Sequence, residues 1–364
     1  MANVSDYLKW RGDLTFHQDP FNNVDNLVIS KLSYAGLNGV IPFRGSNEKI
    51  TLEQAAKKYF ELRKKEKLKK NKTFVADVPE FMRQMADCTR FKDIRLSKYV
   101  QIIDKQKEEQ FEAFTVELTD GSIYIVFCGT DDNIVGWKED FNMSFLDPIP
   151  SQKEAVDYVN SVVGVLSGKV RIGGHSKGGN LAVYAAANAK YTVKRKIIEV
   201  YNNDGPGFDK EMIRSEKYQQ MLPKIKTIVP EYSIVGMLLE HGEDYMVVKS
   251  DYTGIMQHDL TSWQVCANKL ETVPKLSDYS RRLNKALCNW INGLNKEQRK
   301  QFIDTFFSLI TASGVEYLSD FGAGIFKNAW TAVKAFAAMD QKTKAMVRNT
   351  LHSLGDEYIK AKDG

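Results

Sequence analysis

The sequence predicts an α/β fold: a mainly parallel sheet with helices on both faces, followed by a helical C-terminal part. Three observations carry this. Short apolar runs alternate with helical patterns through the middle of the chain. A Gly-x-Ser-x-Gly turn, Gly174-His175-Ser176-Lys177-Gly178, sits between one such run and one such helix. Past residue 275 no strand pattern recurs. Strands that alternate with helices pair in parallel, because each crossover must return to the same end of the sheet.

Taken in order, residues 1–50 carry one helical pattern, Val24 to Tyr34, and read as an N-terminal extension. Thr51 opens a second helix, with Gln54 completing a capping box, and residues 51–104 read as helices and loops. Phe114–Leu118 and Ile123–Phe127 flank Asp120-Gly121, a hairpin that gives the sheet an antiparallel start. Ser151, with Glu154 as its capping partner, starts a helix lined by Val156, Val159, Val162, Val163 and Leu166. Lys169–Ile172 is a short buried strand leading into the glycine turn, and Gly179–Ala187 a helix with a small-residue face. Lys196–Asn202, Ile225–Val229 and Met246–Lys249 are the later strands. The tail shows apolar stripes at Phe302, Ile303, Phe306, Phe307 and Ile310, at Ile325, Ala329, Val333 and Phe336, and at Met346, Leu351 and Leu354. This divides the chain into a main domain over 1–275 and a helical appendage over 276–364, its stripes read as packing surfaces ahead of a lid or an acyl-chain tunnel.

Composition narrows the function. The 364 residues are 43% hydrophobic and 27% charged, as in ordinary globular proteins, and the net charge of +5 is too small to argue for nucleic acid. Seven of the ten residues Arg63–Lys72 are basic. They read as a solvated helix end, with peripheral contact to an anionic membrane as the alternative. Cys88, Cys128, Cys266 and Cys288 are scattered, which argues against a zinc site or a disulfide framework and for a reducing, cytoplasmic location. Met1–Leu14 lacks the apolar stretch of a signal peptide. No metal or cofactor is expected, and nothing in the sequence sets an oligomeric state.

The glycine turn is where chemistry is expected. A serine on a sharp strand-to-helix bend is lifted out of the sheet, and the glycines give the bend room. Its hydroxyl needs a base, and only His17, His175, His241, His258 and His352 are available. Where such a serine is the nucleophile, acid and histidine follow it in chain order. That order removes His17, the His175 side chain should leave on the other side of the turn, and His352 lies in the tail, which leaves His241 and His258; His258 is favoured because it lies just beyond the last strand. Asp204, ending the strand Val200–Asn203 before Gly205-Pro206-Gly207, is the first choice for the acid and Glu231 the second. The backbone N–H of Lys177 and the Gly129-Thr130 loop after an earlier strand are the candidate oxyanion donors.

Phe127-Cys128-Gly129-Thr130, followed by Trp137 and Asp140, resembles the Phe-Arg-Gly-Thr … Asp-Trp … Asp segment of class 3 (fungal-type) lipases. Gly174-His175-Ser176-Lys177-Gly178-Gly179 resembles their Gly-His-Ser-Leu-Gly-Gly elbow. Asp6–Leu14, Asn203–Phe208, Ser233–Leu238 and Gln257-His258-Asp259 look like a narrower bacterial branch of that superfamily, classed as a domain of unknown function. The resemblance implies an α/β-hydrolase fold with Ser176 as nucleophile and the Thr130 region as oxyanion loop. One departure matters. Those lipases carry their acid in an Asp-Ile-Val-Pro stretch, and Ser233-Ile234-Val235-Gly236 stands there in this chain, a further reason to look one strand earlier, at Asp204. The expected activity is that of a serine hydrolase cleaving small-molecule lipid-like or medium-chain acyl esters through an acyl-enzyme. Thioesterase or acyltransferase activity, and a non-catalytic binding protein of the same fold, are the alternatives.

Overall fold

The computed structural model describes residues 1–63, 76–131, 134–164, 168–312 and 340–363. The strands are β1 (Ile50–Thr51), β2 (Arg95–Asp104), β3 (Glu109–Glu117), β4 (Ile123–Phe127), β5 (Val170–His175), β6 (Ile197–Asn203), β7 (Ile225–Pro230), β8 (Tyr245–Val248), β9 (Val265–Cys266) and β10 (Lys269–Leu270). The helices are α1 (Val4–Arg11), α2 (Asn23–Leu32), α3 (Leu52–Leu62), α4 (Val78–Asp87), α5 (Ile134–Asn142), α6 (Pro150–Val162), α7 (Lys177–Asn188), α8 (Tyr191–Lys194), α9 (Lys210–Arg214), α10 (Glu216–Met221), α11 (Asp278–Gly293), α12 (Lys296–Ala312) and α13 (Gln341–Asp363). They form two compact units. The first holds residues 1–102, 111–129 and 151–276; the second holds 103–110, 130–150 and 277–364.

The first unit is an α/β hydrolase fold built on an eight-stranded sheet in the plain order β1 to β8. The hairpin at Asp120-Gly121 forms, with β3 antiparallel to β4, and β4 to β8 then run parallel. Sequential order has a consequence. If every crossover is right-handed, the connecting helices all fall on one face, and the other face needs a separate cover. The core divides accordingly. Ile125, Phe127, Ile172 and Val200 pack with Tyr158 and Val159 of α6, Leu181 of α7 and Tyr218 of α10. Their strand neighbours Tyr124, Val126 and Tyr201 pack with Val4 and Tyr7 of α1, Leu27 and Val28 of α2 and Met82 of α4. The two-residue alternation of β4 therefore feeds two cores. The N-terminal segment is one wall of the fold, and α2 is buried from Val24 through Leu32.

Both sequence-predicted capping residues at α3 are in place, with Thr51 and Gln54 bonded reciprocally. The reading of 51–104 as helices and loops requires correction, because β2 crosses the sheet there. Lys98 sits in β2 at φ +60°, which breaks the alternation that would have marked a strand. The helix expected from Ser151 spans Pro150–Val162, and Leu166 lies outside the described residues.

The second unit is helical around Ile134, Phe302, Ile303, Phe307 and Val347, with Trp137, Trp290 and Met346 packed against them. Of the first tail stripe, Phe302, Ile303 and Phe307 thus point inward, and Phe306 is partly exposed beside Phe141. Lys138 of α5 bridges Glu108 and Asp304, and Trp290 Nε1 donates to the Thr350 carbonyl. The stripe at 325–336, most of the basic run after Arg63, and the side chains of Ile310, Leu351 and Leu354 lie outside the described residues. Among the described residues no helix is long and apolar enough to cross a membrane.

Candidate active site

The glycine turn joins β5 to α7 without a loop. Ser176 occupies φ +57°, ψ −132°, a conformation non-glycine residues rarely adopt. The bend is held from both sides: the Ser176 N–H donates to Asn203 O, and Gly179 N–H donates to Ser176 O, each at 2.9 Å. A Cβ on Gly178 would lie 2.2 Å from Phe127 O, and one on Gly174 would lie 2.4 Å from the Gly178 carbonyl carbon, so neither position admits a side chain. Ser176 is the N-cap of α7 yet makes no capping hydrogen bond. Its hydroxyl is not spent on the helix end, which is the usual use of a serine at that place.

One strand over, Asp204 follows β6 at φ +50° and is 1% exposed. His175 and Asn203 are registered partners in β5 and β6, so Ser176 and Asp204 each stand one residue past the same rung. Asp204 Oδ2 is 2.6 Å from His258 Nδ1. Asp204 Oδ1 accepts from the Ser233 hydroxyl at 2.5 Å and from Gly236 N–H at 3.2 Å. With donors on its other oxygen, the carboxylate accepts from His258 Nδ1–H, which leaves Nε2 as the imidazole's basic nitrogen. The strand pattern and chain order anticipated the pairing of Asp204 with His258. Glu231 is tied to the sheet through its N–H, donated to Val248 O.

His258 ends a one-turn helix, Gly254–His258, that is pinned at several points. Gln257 donates its side-chain amide to Tyr252 O and accepts from Tyr232 N–H, and its carbonyl accepts from Trp263 Nε1. The adjacent Asp259 pairs with the buried Lys31 of α2 at 2.9 Å, and Lys31 also meets Asp77 at 2.9 Å. The N-terminal wall therefore holds the histidine loop.

His175 was expected to leave the far side of the turn. Its ring instead lies 4.3 Å from the His258 ring, centroid to centroid, with its Nδ1 taken by the Tyr34 hydroxyl at 2.7 Å. Burial, and then the proximity of His258 and Lys31, hold His175 well below the ordinary imidazole value, so it stays neutral. Nothing in the sequence marked Tyr34 or Lys31, because each acts through contacts distant in sequence. His241, the second choice for the base, bonds to the Gly236 carbonyl and to Glu243.

The candidate oxyanion donors divide between the units. Lys177 is buried at the first position of α7, at the positive end of the helix macrodipole. Gly129 closes the first unit, packed so that a Cβ would meet the Tyr34 hydroxyl and the His175 carbonyl. Thr130 opens the second unit, where its hydroxyl donates to Asp140 at 2.6 Å and Trp137 Nε1 donates to Asp131 O at 3.1 Å. Among the described residues no group of His, Cys, Asp and Glu could hold a metal ion.

Comparison with curated proteins gives no match. Among solved structures, the crystal structure of M37 lipase aligns at 16% identity and a TM-score of 0.36, covering 60% of this chain and 70% of that one. A likeness that faint carries no argument about chemistry. The family model called Mbeg1-like matches residues 85–308, well over half of the sequence and running from before β2 into α12, so the chain belongs to the Mbeg1-like family, a lipase-like family.

Proposed function

We propose that the protein is a serine hydrolase that cleaves small carboxylic esters with lipid-like or medium-chain acyl groups. Ser176 Oγ attacks the ester carbonyl carbon while His258 Nε2 takes its proton. The tetrahedral intermediate collapses, the C–O bond to the alcohol breaks, and His258 returns the proton to the leaving oxygen. Water then repeats the sequence on the acyl-enzyme and releases the acid. Asp204 orients His258 and stabilises the imidazolium. The Lys177 N–H is the proposed oxyanion donor.

The observation that carries this reading is the 2.6 Å Asp204–His258 hydrogen bond beside a serine held at positive φ. The same bond argues against a non-catalytic binding protein, for which a buried carboxylate on a histidine would have no task. Thioesterase and acyltransferase reactions share the acyl-enzyme, and only the acceptor separates them. A fluorophosphonate probe should label the native protein at Ser176 and leave Ser176→Ala unlabelled; equal labelling of both sinks the proposal. p-Nitrophenyl esters of graded chain length, with alcohol or thiol added, then define acyl group and acceptor.

A further inference from the structure

Behind Asp204 lies a second histidine–carboxylate pair outside the site described above. His241 Nε2 is 2.6 Å from the Gly236 carbonyl, and His241 Nδ1 is 3.2 Å from Glu243 Oε1. Both side chains are nearly buried, 6% and 4% exposed. Glu243 also accepts from the hydroxyls of Tyr218 and Thr227. Burial pushes its carboxyl up, but His241 and the two hydroxyls outweigh that and hold it down at about 2, so Glu243 is an acceptor. A carbonyl and a carboxylate can only accept. Both ring nitrogens of His241 therefore face acceptors, one on Gly236 and one on Glu243.

The residue His241 grips is the one that holds Asp204. Gly236 offers its carbonyl to His241 and its N–H to Asp204 Oδ1. The packing is tight, since a Cβ on Gly236 would lie 2.3 Å from Asp204 Oδ1. Ser233, the other donor to that oxygen, belongs to the same short loop. The carboxylate thus rests in a cradle that His241 grips from behind.

We propose that His241, locked by Glu243, is a positioning residue that fixes the Ser233–Gly236 loop and through it the Asp204–His258 pair. The inference rests on the reading of Asp204 and His258 as acid and base. Contacts on both sides of the ring, to Gly236 and to Glu243, fix its orientation and with it the Gly236 carbonyl, which separates this role from ordinary packing.

The test has a readout that does not depend on turnover. In the native protein the His258 Nδ1–H shared with Asp204 should give a far-downfield proton resonance. His241→Ala should weaken or shift the His258 resonance and lower kcat by about 10- to 100-fold with KM little changed. His241→Gln, whose amide can still donate to Gly236, should recover part of both. Should His241→Ala fail to fold, Glu243→Gln decides on the same resonance. An unchanged His258 resonance and kcat in folded His241→Ala, or in Glu243→Gln where the alanine variant does not fold, overturns the proposal. A native protein inert to fluorophosphonate would overturn the serine-hydrolase reading instead, while the resonance still judges the positioning.

Discussion

The Ser233 hydroxyl donates to Asp204 Oδ1, across 29 residues of chain. Ser233 falls where the resemblance to class 3 lipases would put an acid, and Asp204 ends the preceding strand. Under the proposed function the acid stands one strand earlier and Ser233 is its hydrogen-bond donor. That arrangement is physically coherent. Oδ1 is buried and needs donors once Oδ2 is committed to His258, and a second carboxylate at that distance would repel the first.

Substitutions at the two positions should therefore differ in kind. Ser233→Ala removes one donor from a buried carboxylate and should cost about 1–3 kcal/mol. Ser233→Asp puts a like charge against it and should cost about 3–5 kcal/mol, on the scale of an uncompensated buried charge. Urea unfolding of the three proteins checks the order. Asp204→Asn keeps the shape but favours the wrong imidazole tautomer, and kcat should fall by about 10⁴. An Asp204→Asn enzyme of undiminished rate would remove Asp204 from the mechanism.

Ser176 offers a separation of stability from activity. At φ +57° a side chain is strained, and glycine is not. Ser176→Gly and Ser176→Ala should both be inert to fluorophosphonate. Once glycine's larger unfolded-state entropy is offset, Ser176→Gly should be the more stable of the two by about 1 kcal/mol. Thermal melts of the pair measure this, and a less stable glycine variant would mean the bend holds no strain.

Much of the first unit was legible because its signals are local. The strands β3 to β8 are short apolar runs, and the elbow is a five-residue pattern with strand and helix on either side. Asp204 and His258 could be chosen by strand ends and chain order. What stayed hidden depends on contacts distant in sequence. Strand β2 was masked by the positive φ of Lys98, which disrupts its alternation. The N-terminal helices looked like an extension, since a stripe at helical spacing does not say which surface it covers. That they form the second wall follows from the sequential strand order, a property of the sheet as a whole. Tyr34 on His175, and Ser233 on Asp204, are single hydrogen bonds across 141 and 29 residues.

His175 should leave a mark on acid stability. Its folded value lies below the ordinary 6.5, so as pH falls below 6.5 the unfolded chain binds a proton that the folded chain refuses. Stability is therefore constant in this respect above 6.5 and is lost below it, with a limiting slope of about 1.4 kcal/mol per pH unit. Glu243 acts lower: its contribution is present above the ordinary 4.5 and is lost as pH falls toward about 2. Urea titrations between pH 7 and 4.5 should show a shallower slope for His175→Gln than for the native protein. Parallel slopes would mean that His175 takes up its proton in the folded state.

Lys31 tests whether the N-terminal wall serves the site. Its ammonium is 3% exposed and meets Asp259, 10% exposed, and Asp77, 47% exposed, each at 2.9 Å. Asp77 can turn to water if the lysine is lost; Asp259 cannot. It keeps only the donors of Thr261, the N–H at 3.1 Å and the hydroxyl at 2.9 Å. Lys31→Met preserves the stem and deletes the charge, so the loss should be about 3–5 kcal/mol, nearly all of it from Asp259. Because Asp259 directly follows His258, surviving folded enzyme should also show a lower kcat at similar KM. The double variant Lys31→Met/Asp259→Asn removes the stranded charge and should recover most of the stability, giving a strongly non-additive cycle. Additive losses would mean the two side chains contribute independently, and that the histidine loop is held by its Gln257 and Trp263 contacts alone.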